Sequence, residues 1–263
     1  MYGSQRTVRR TAPPRGYARG VKPFLLISSR PEDSLADAEY DQFRRWGGLA
    51  RGDLIQHRLE SEPLPRIHLD DYSGIMVGGS PFTGSIPEAH KSLTQVRVEK
   101  EIDELLDLIV AEDFPFLGAC YGVGTLGRHQ GGVIDFEYGE PVGPVLIEVT
   151  EAGAADPLLA GIGRTFEAYV GHKEACSTLP PSGILLATSP HCPVQMFRVK
   201  ENLYGTQFHP ELDYEGIAER IDLYRHVGYF PEDEVEEVTR RCFGADVTDS
   251  HLVISNFVEQ YAD

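Results

Sequence analysis

Cysteine is scarce in this 263-residue sequence: there are four, Cys120, Cys176, Cys192 and Cys242, with no paired spacing. That excludes a disulfide-built scaffold and points to a reducing compartment. Long apolar runs are lacking too. The longest near the start, Phe24 to Ile27, is far too short to cross a bilayer or form a secretory signal core. The expected location is the cytoplasm, away from any membrane. Positive charge is in deficit, since 24 Lys and Arg stand against 41 Asp and Glu, a net −17. Binding a phosphate backbone needs clustered cations, so no nucleic-acid partner is expected. No Walker-type phosphate loop, internal repeat or long low-complexity segment occurs. No metal and no cofactor is expected: His172 precedes Cys176 by four residues and His191 adjoins Cys192, but neither pair has a second pair at zinc-site spacing.

One stretch runs against the acidic balance. Residues 1–21 carry Arg6, Arg9, Arg10, Arg15 and Arg19 and no acid, with prolines and glycines between them, and read as a disordered basic arm. An organellar transit peptide is the lesser reading, because the arm lacks an amphipathic apolar face. The whole chain is 41% hydrophobic in composition, enough for a substantial core. We read one catalytic domain over residues 22–230 and a helical extension over 231–263 packed on the same domain, with no second domain. In the extension, acids after Pro231 and the pair Arg240 and Arg241 suit the polarity of a helix, and a last helix follows Asp249.

Apolar runs predict strands at Phe24–Ser28, Leu54–Arg58, Gly74–Val77, Phe116–Ala119, Val145–Val149, Ile184–Ala187, Val194–Val199 and Leu203–Phe208. Helical spacing joins Val98, Ile102, Leu105 and Ile109, and again Ile217, Ile221 and Tyr224. The alternation predicts an α/β fold: a mostly parallel open sheet with helices on both faces, a flavodoxin-like three-layer sandwich, with its site at the carboxyl ends of the strands.

At one such end stands Gly118-Ala119-Cys120-Tyr121-Gly122, directly after Phe114-Pro115-Phe116-Leu117. It reads as a nucleophile on a strand-to-helix elbow, where small neighbours let the backbone pass closely. The following helix N-terminus would favour thiolate. A small buried cysteine in a glycine-rich turn is the other reading. Far downstream, Tyr204-Gly205-Thr206-Gln207-Phe208 leads into His209-Pro210-Glu211, a base and an orienting acid with a rigid proline between them. Cysteine, histidine and glutamate together follow the logic of a catalytic triad.

The two motifs resemble those of the class I glutamine amidotransferases, among them the amidotransferase domain of GMP synthase. Gly78-Gly79-Ser80-Pro81 resembles that family's oxyanion loop, and Gly171-His172-Lys173-Glu174 its substrate-contacting loop. The resemblance implies Cys120 as nucleophile, His209 as general base and acid, and Glu211 as the residue orienting His209. It implies oxyanion donors at Gly79 and Tyr121, and substrate contacts at Gly78, Gly171, His172 and Lys173. Family members usually carry glutamine four residues after the nucleophile, where this chain has Gly124. The activity implied is hydrolysis of the γ-carboxamide of glutamine through a thioester, with ammonia passed to a separate synthetase. The space at Gly124 opens an alternative, hydrolysis of a γ-glutamyl amide without a partner. A non-catalytic binding or regulatory protein on the same fold is a third possibility.

Overall fold

The computed structural model describes residues 22–224 and 235–263. The basic arm, the side chain of Tyr224, the 230/231 boundary and Pro231 lie outside these residues. Four parallel strands come first: β1 (Phe24–Ser28), β2 (Leu54–Arg58), β3 (Gly74–Val77) and β4 (Phe116–Ala119). They have the bounds expected from their apolar runs. Strands β5 (Val133–Asp135), β6 (Glu140–Val149), β7 (Thr165–His172), β8 (Ala175–Thr178), β9 (Gly183–Thr188), β10 (Met196–Val199) and β11 (Leu203–Thr206) follow. Nine of them form a sheet in the order β2-β1-β3-β4-β11-β10-β9-β6-β7, and β5 pairs with β8 apart from it. The pairings from β2 through β11 are parallel, and only β10 and β6 run against the rest. The sheet is therefore mixed and mostly parallel.

Burial on both sides explains the uninterrupted apolar strands, since a parallel sheet must be covered on each face. In β1, Phe24 and Leu26 join one core cluster while Leu25 and Ile27 join the other. Helix α1 (Asp33–Trp46) covers the first face through Phe43. Helix α2 (Leu93–Glu112) covers the second through Val98, Ile102, Leu105 and Ile109, the stripe seen in the sequence. Its start is capped by Ser92, whose hydroxyl accepts from the Gln95 N–H. Beside it on that face lies α3 (Tyr121–His129).

After α4 (Glu151–Ala154) the chain supplies α5 (Tyr214–Tyr224), α6 (Val235–Phe243) and α7 (Leu252–Tyr261). Helix α6 opens with Glu236 and Glu237 and closes with Arg240 and Arg241. Helix α7 is part of the first core layer: Val253, Ile254, Phe257 and Val258 are buried there, and the Phe257 ring lies 5.9 Å from that of Phe24. Three strands escaped the sequence reading: the short β5, and β7 and β8, because Gly171-His172-Lys173-Glu174 between the latter two reads as a loop. Gly171 and His172 instead end β7. Thr206 ends β11, so Gln207 and Phe208 lie beyond the regular strand.

Candidate active site

The carboxyl ends of β1, β3, β4 and β11 converge, as the parallel pairing requires, and deliver Arg30, the Gly78-Gly79 turn, Cys120 and His209 to one place. Cys120 joins β4 to α3 with φ at 53°, a left-handed conformation costly for any residue but glycine. Its N–H donates to the Thr206 carbonyl at 2.7 Å, which fixes the turn to β11. A Cβ on Gly118 would lie 2.6 Å from the backbone of Gly122, so the close crossing of strand and helix requires glycine.

His209 is anchored through its backbone, its N–H donating to the Tyr169 carbonyl at 2.9 Å. The ring Nδ1 lies 2.7 Å from Glu211 Oε1, and both side chains are buried. With Nδ1–H donating to the carboxylate, Nε2 is left as the proton acceptor. Around this pair is a set of charges that the sequence reading missed. Arg220 on α5 reaches Glu211 Oε1 at 3.1 Å and Glu39 Oε1 at 3.5 Å. Arg30 donates from Nε to Glu39 Oε1 at 2.8 Å, and Ser28 Oγ to Glu39 Oε2 at 2.5 Å. Arg220 Nη1 also lies 3.2 Å from His209 Nδ1, a contact that cannot be a hydrogen bond while Nδ1 donates to Glu211.

Two aromatic residues buttress the backbone of the same turn. Trp46 Nε1 donates to the Glu211 carbonyl at 2.9 Å, and His251 Nδ1 lies 2.7 Å from the Pro210 carbonyl. Their rings stack at 3.7 Å. The extension thus braces the His209-Pro210-Glu211 segment directly.

Burial sets the electrostatics. It pushes the Cys120 thiol up to about 12, against the opposing pull of Arg30 and Arg220. Desolvation thus works against the thiolate that the helix start was expected to favour. Burial also lowers the His209 pKa, helped by the cations Arg220 and Arg30 and opposed by Glu211, which leaves the imidazole neutral at neutral pH. Burial alone would raise Glu211, but His209 and Arg220 outweigh it and hold the carboxyl well below its ordinary range.

The remaining residues singled out from the sequence divide. A Cβ on Gly78 would strike the Glu39 carboxylate at 2.5 Å, and one on Gly79 would strike Arg30 Nη2 at 2.5 Å and His209 at 2.8 Å. Tyr121, Gly124, Gly171, His172 and Lys173 line one cavity together with Cys120. Gly124 leaves room there, since a Cβ would meet only Ile134 at 3.9 Å and Glu174 at 4.0 Å. Both ring nitrogens of His172 are engaged, Nε2 with Glu140 at 3.0 Å and Nδ1 with the Glu174 carbonyl at 3.0 Å. Glu140, His172 and Cys192 bring three ligand-type atoms within 4.8 Å of one another. Gln195 and Ser189 also donate hydrogen bonds to the Glu140 carboxylate.

No helix among the described residues is long and apolar enough to cross a membrane. The chain resembles two solved structures of glutamine amidotransferases. That from Thermotoga maritima is 19% identical with a TM-score of 0.72, covering 90% of this chain and 99% of that one. That from Methylobacillus flagellatus is 18% identical with a TM-score of 0.68, covering 92% and 96%. In sequence, it is 29% identical over 160 residues to one subunit of the glutamine-hydrolyzing GMP synthase of Pyrococcus abyssi, covering 60% of this chain and 77% of that protein. The glutamine-hydrolyzing GMP synthase of Thermosipho africanus is 28% identical over 124 residues, 47% of this chain, and the match spans only 23% of that protein's length. The family model for Glutamine amidotransferase class-I matches residues 53–217, more than half of the sequence, and the chain belongs to that family.

Proposed function

We propose that the protein hydrolyses the γ-carboxamide of glutamine or of a γ-glutamyl amide through a thioester on Cys120. One observation carries the reading: a thiol held on a left-handed elbow shares a cleft with a neutral, carboxylate-anchored imidazole. His209 Nε2 takes the thiol proton as Sγ attacks the γ-carbonyl carbon. The tetrahedral oxyanion is stabilised by the backbone N–H groups of Gly79 and Tyr121, where fixed dipoles meet developing charge. His209 passes its proton to the leaving nitrogen, the C–N bond breaks, and ammonia or an amine departs. Water, deprotonated by His209, then opens the thioester to glutamate and restores the thiol. Glu211 keeps the imidazole in the tautomer that each proton transfer needs. Gly78 shapes the loop, and Gly124, Gly171, His172 and Lys173 form the acyl-side wall.

A separate synthetase that consumes the ammonia fits this scheme, because the sequence relatives include a protein named as one subunit of a GMP synthase. The test is glutamate and ammonia release from purified protein given L-glutamine and γ-glutamyl amides. Cys120→Ala should lose at least about a thousandfold in turnover, as expected when a nucleophile is removed. Turnover that survives the substitution would rule out the thioester route.

A further inference from the structure

Two cavities of similar size meet at Cys120, with room for the centres of water-sized spheres of about 30 Å³ on one side and about 40 Å³ on the other, sharing Ser80 and Gly171 as well. The first holds the oxyanion-side residue Tyr121 together with Gly124, Lys173 and Glu174. The second holds His209, which does not line the first, and is walled by Val142, Val170, Leu212 and Ile217. We propose that this second cavity is a leaving-group subsite for an apolar primary amine, so that a γ-glutamyl alkylamide is a better substrate than glutamine.

The inference rests on the acyl-transfer reading and deepens it. In that reaction the histidine delivers its proton to the departing nitrogen, so any substituent on that nitrogen must project on the histidine side. A water-sized leaving group such as ammonia needs only roughly 10–15 Å³ of such space, and the cavity beside His209 offers about 40 Å³. The space beside His209 is as large as that available to the glutamyl half. Its lining is aliphatic apart from Arg30, His209, Arg220 and the shared Ser80, Cys120 and Gly171. The two arginine charges are matched by Glu39 and Glu211, with which they form buried ion pairs. The cavity therefore presents apolar walls and no net excess of positive charge, which suits an uncharged alkyl group better than an acid.

A second observation concerns where the walls come from. Leu212, Ile217 and Val142 are backed by Val238, Cys242 and Val247 in one apolar cluster. Those backing residues lie beyond residue 217, where the family match ends. The Tyr169 hydroxyl, donating to the Cys242 carbonyl at 2.6 Å, ties α6 to the strand that carries Val170. Part of the chain outside the shared amidotransferase region thus shapes the amine side of the thiol and leaves the acyl side alone.

The step balances without a co-reactant other than water. Sγ bonds to the γ-carbon as the thiol proton moves to His209; the C–N bond breaks as that proton moves to nitrogen; the alkylamine leaves; water cleaves the thioester. The experiment measures kcat/KM by glutamate release for L-glutamine, γ-glutamyl methylamide, ethylamide and n-butylamide, and for γ-glutamylglycine, each beside Cys120→Ala. The n-butylamide should exceed glutamine by at least about tenfold, with values rising along the alkyl series, since one methylene in an apolar pocket is worth roughly tenfold or more. Val142→Phe, which narrows the cavity from a half-buried wall position, should cut the butylamide-to-glutamine ratio by about tenfold. Glutamine turnover with a flat or falling alkyl series would overturn the subsite and leave the hydrolase standing. A preference for γ-glutamylglycine over the butylamide would overturn the apolar assignment. Silence on every substrate would overturn both the subsite and the hydrolase.

Discussion

At the scale of single residues, the proposed catalytic pair is tuned by a cation that the sequence does not advertise. Arg220 lies buried between Glu39 and Glu211 and lowers the proton affinity of His209 by its charge. The imidazole must be neutral to accept the thiol proton, so activity rises with pH through the His209 pKa. Arg220→Met removes that charge, raises the pKa, and should move the acid limb of the kcat/KM profile to higher pH. It should also cost roughly 3 kcal/mol of stability, because a broken buried ion pair leaves uncompensated charge. Arg220→Lys should restore part of the acid limb. An unmoved limb in the methionine variant would reduce Arg220 to a packing role. Cys120, His209 and Glu211 were legible because their types and spacing sit at strand ends, and the structure brings Cys120 and His209 to one cleft with Glu211 on the ring. Arg30, Glu39 and Arg220 were not. A buried charge is recognised only by its partner, and Arg220 meets Glu39 from a distant part of the chain. The opposing effect of burial on Cys120 was equally hidden: sequence places a helix start after Cys120 but says nothing about how far the sulfur is desolvated.

At the scale of elements, the strands that run straight through the core announced themselves. All residues of β1, β3, β4 and β11 are buried, and their apolar runs have no polar alternation to confuse them. Strand β7 was lost because its end carries Gly171 and His172, residues that locally resemble a loop. Its pairing with β6 is a long-range fact. The last helix shows the opposite limit. Its existence was readable, but its place in the core was not, since contact between Phe257 and Phe24 joins the two ends of the described chain. Phe257→Ala should therefore destabilise the protein by about 3–5 kcal/mol, the usual cost of emptying an aromatic core site. Denaturant unfolding would measure it. A loss below about 1 kcal/mol would mean that α7 only decorates the sheet. Because His251, at the start of that helix, contacts the Pro210 carbonyl, a folded Phe257→Ala protein should also lose turnover.

Across the whole molecule, titration of buried groups confines stability to a window of pH. Burial lowers the pKa of His209 and of His251 from the ordinary 6.5. Below that value the unfolded chain takes up protons that the native state refuses, so stability falls with acid; the depressed Glu211 extends the fall below the ordinary carboxylate range. The thiols act with the opposite sign. Burial raises Cys192 to about 12 and Cys176 and Cys242 to about 11, against an ordinary 9.0. Their contribution is complete below 9.0 and is lost as pH climbs toward the native values, because the unfolded chain releases these protons first. Each thiol loses about 1.4 kcal/mol per pH unit, so these three together should cost roughly 4 kcal/mol at pH 10 relative to pH 7.5. The net charge of −17 adds self-repulsion in the same direction. The two effects separate by substitution. In Cys192→Ala/Cys242→Ala the cavity penalty is the same at both pH values and cancels, while two titrating thiols are gone. The stability difference between pH 7.5 and pH 10, measured by denaturant unfolding, should shrink by roughly 2–3 kcal/mol. An unchanged difference would show that these two thiols contribute nothing to the alkaline loss.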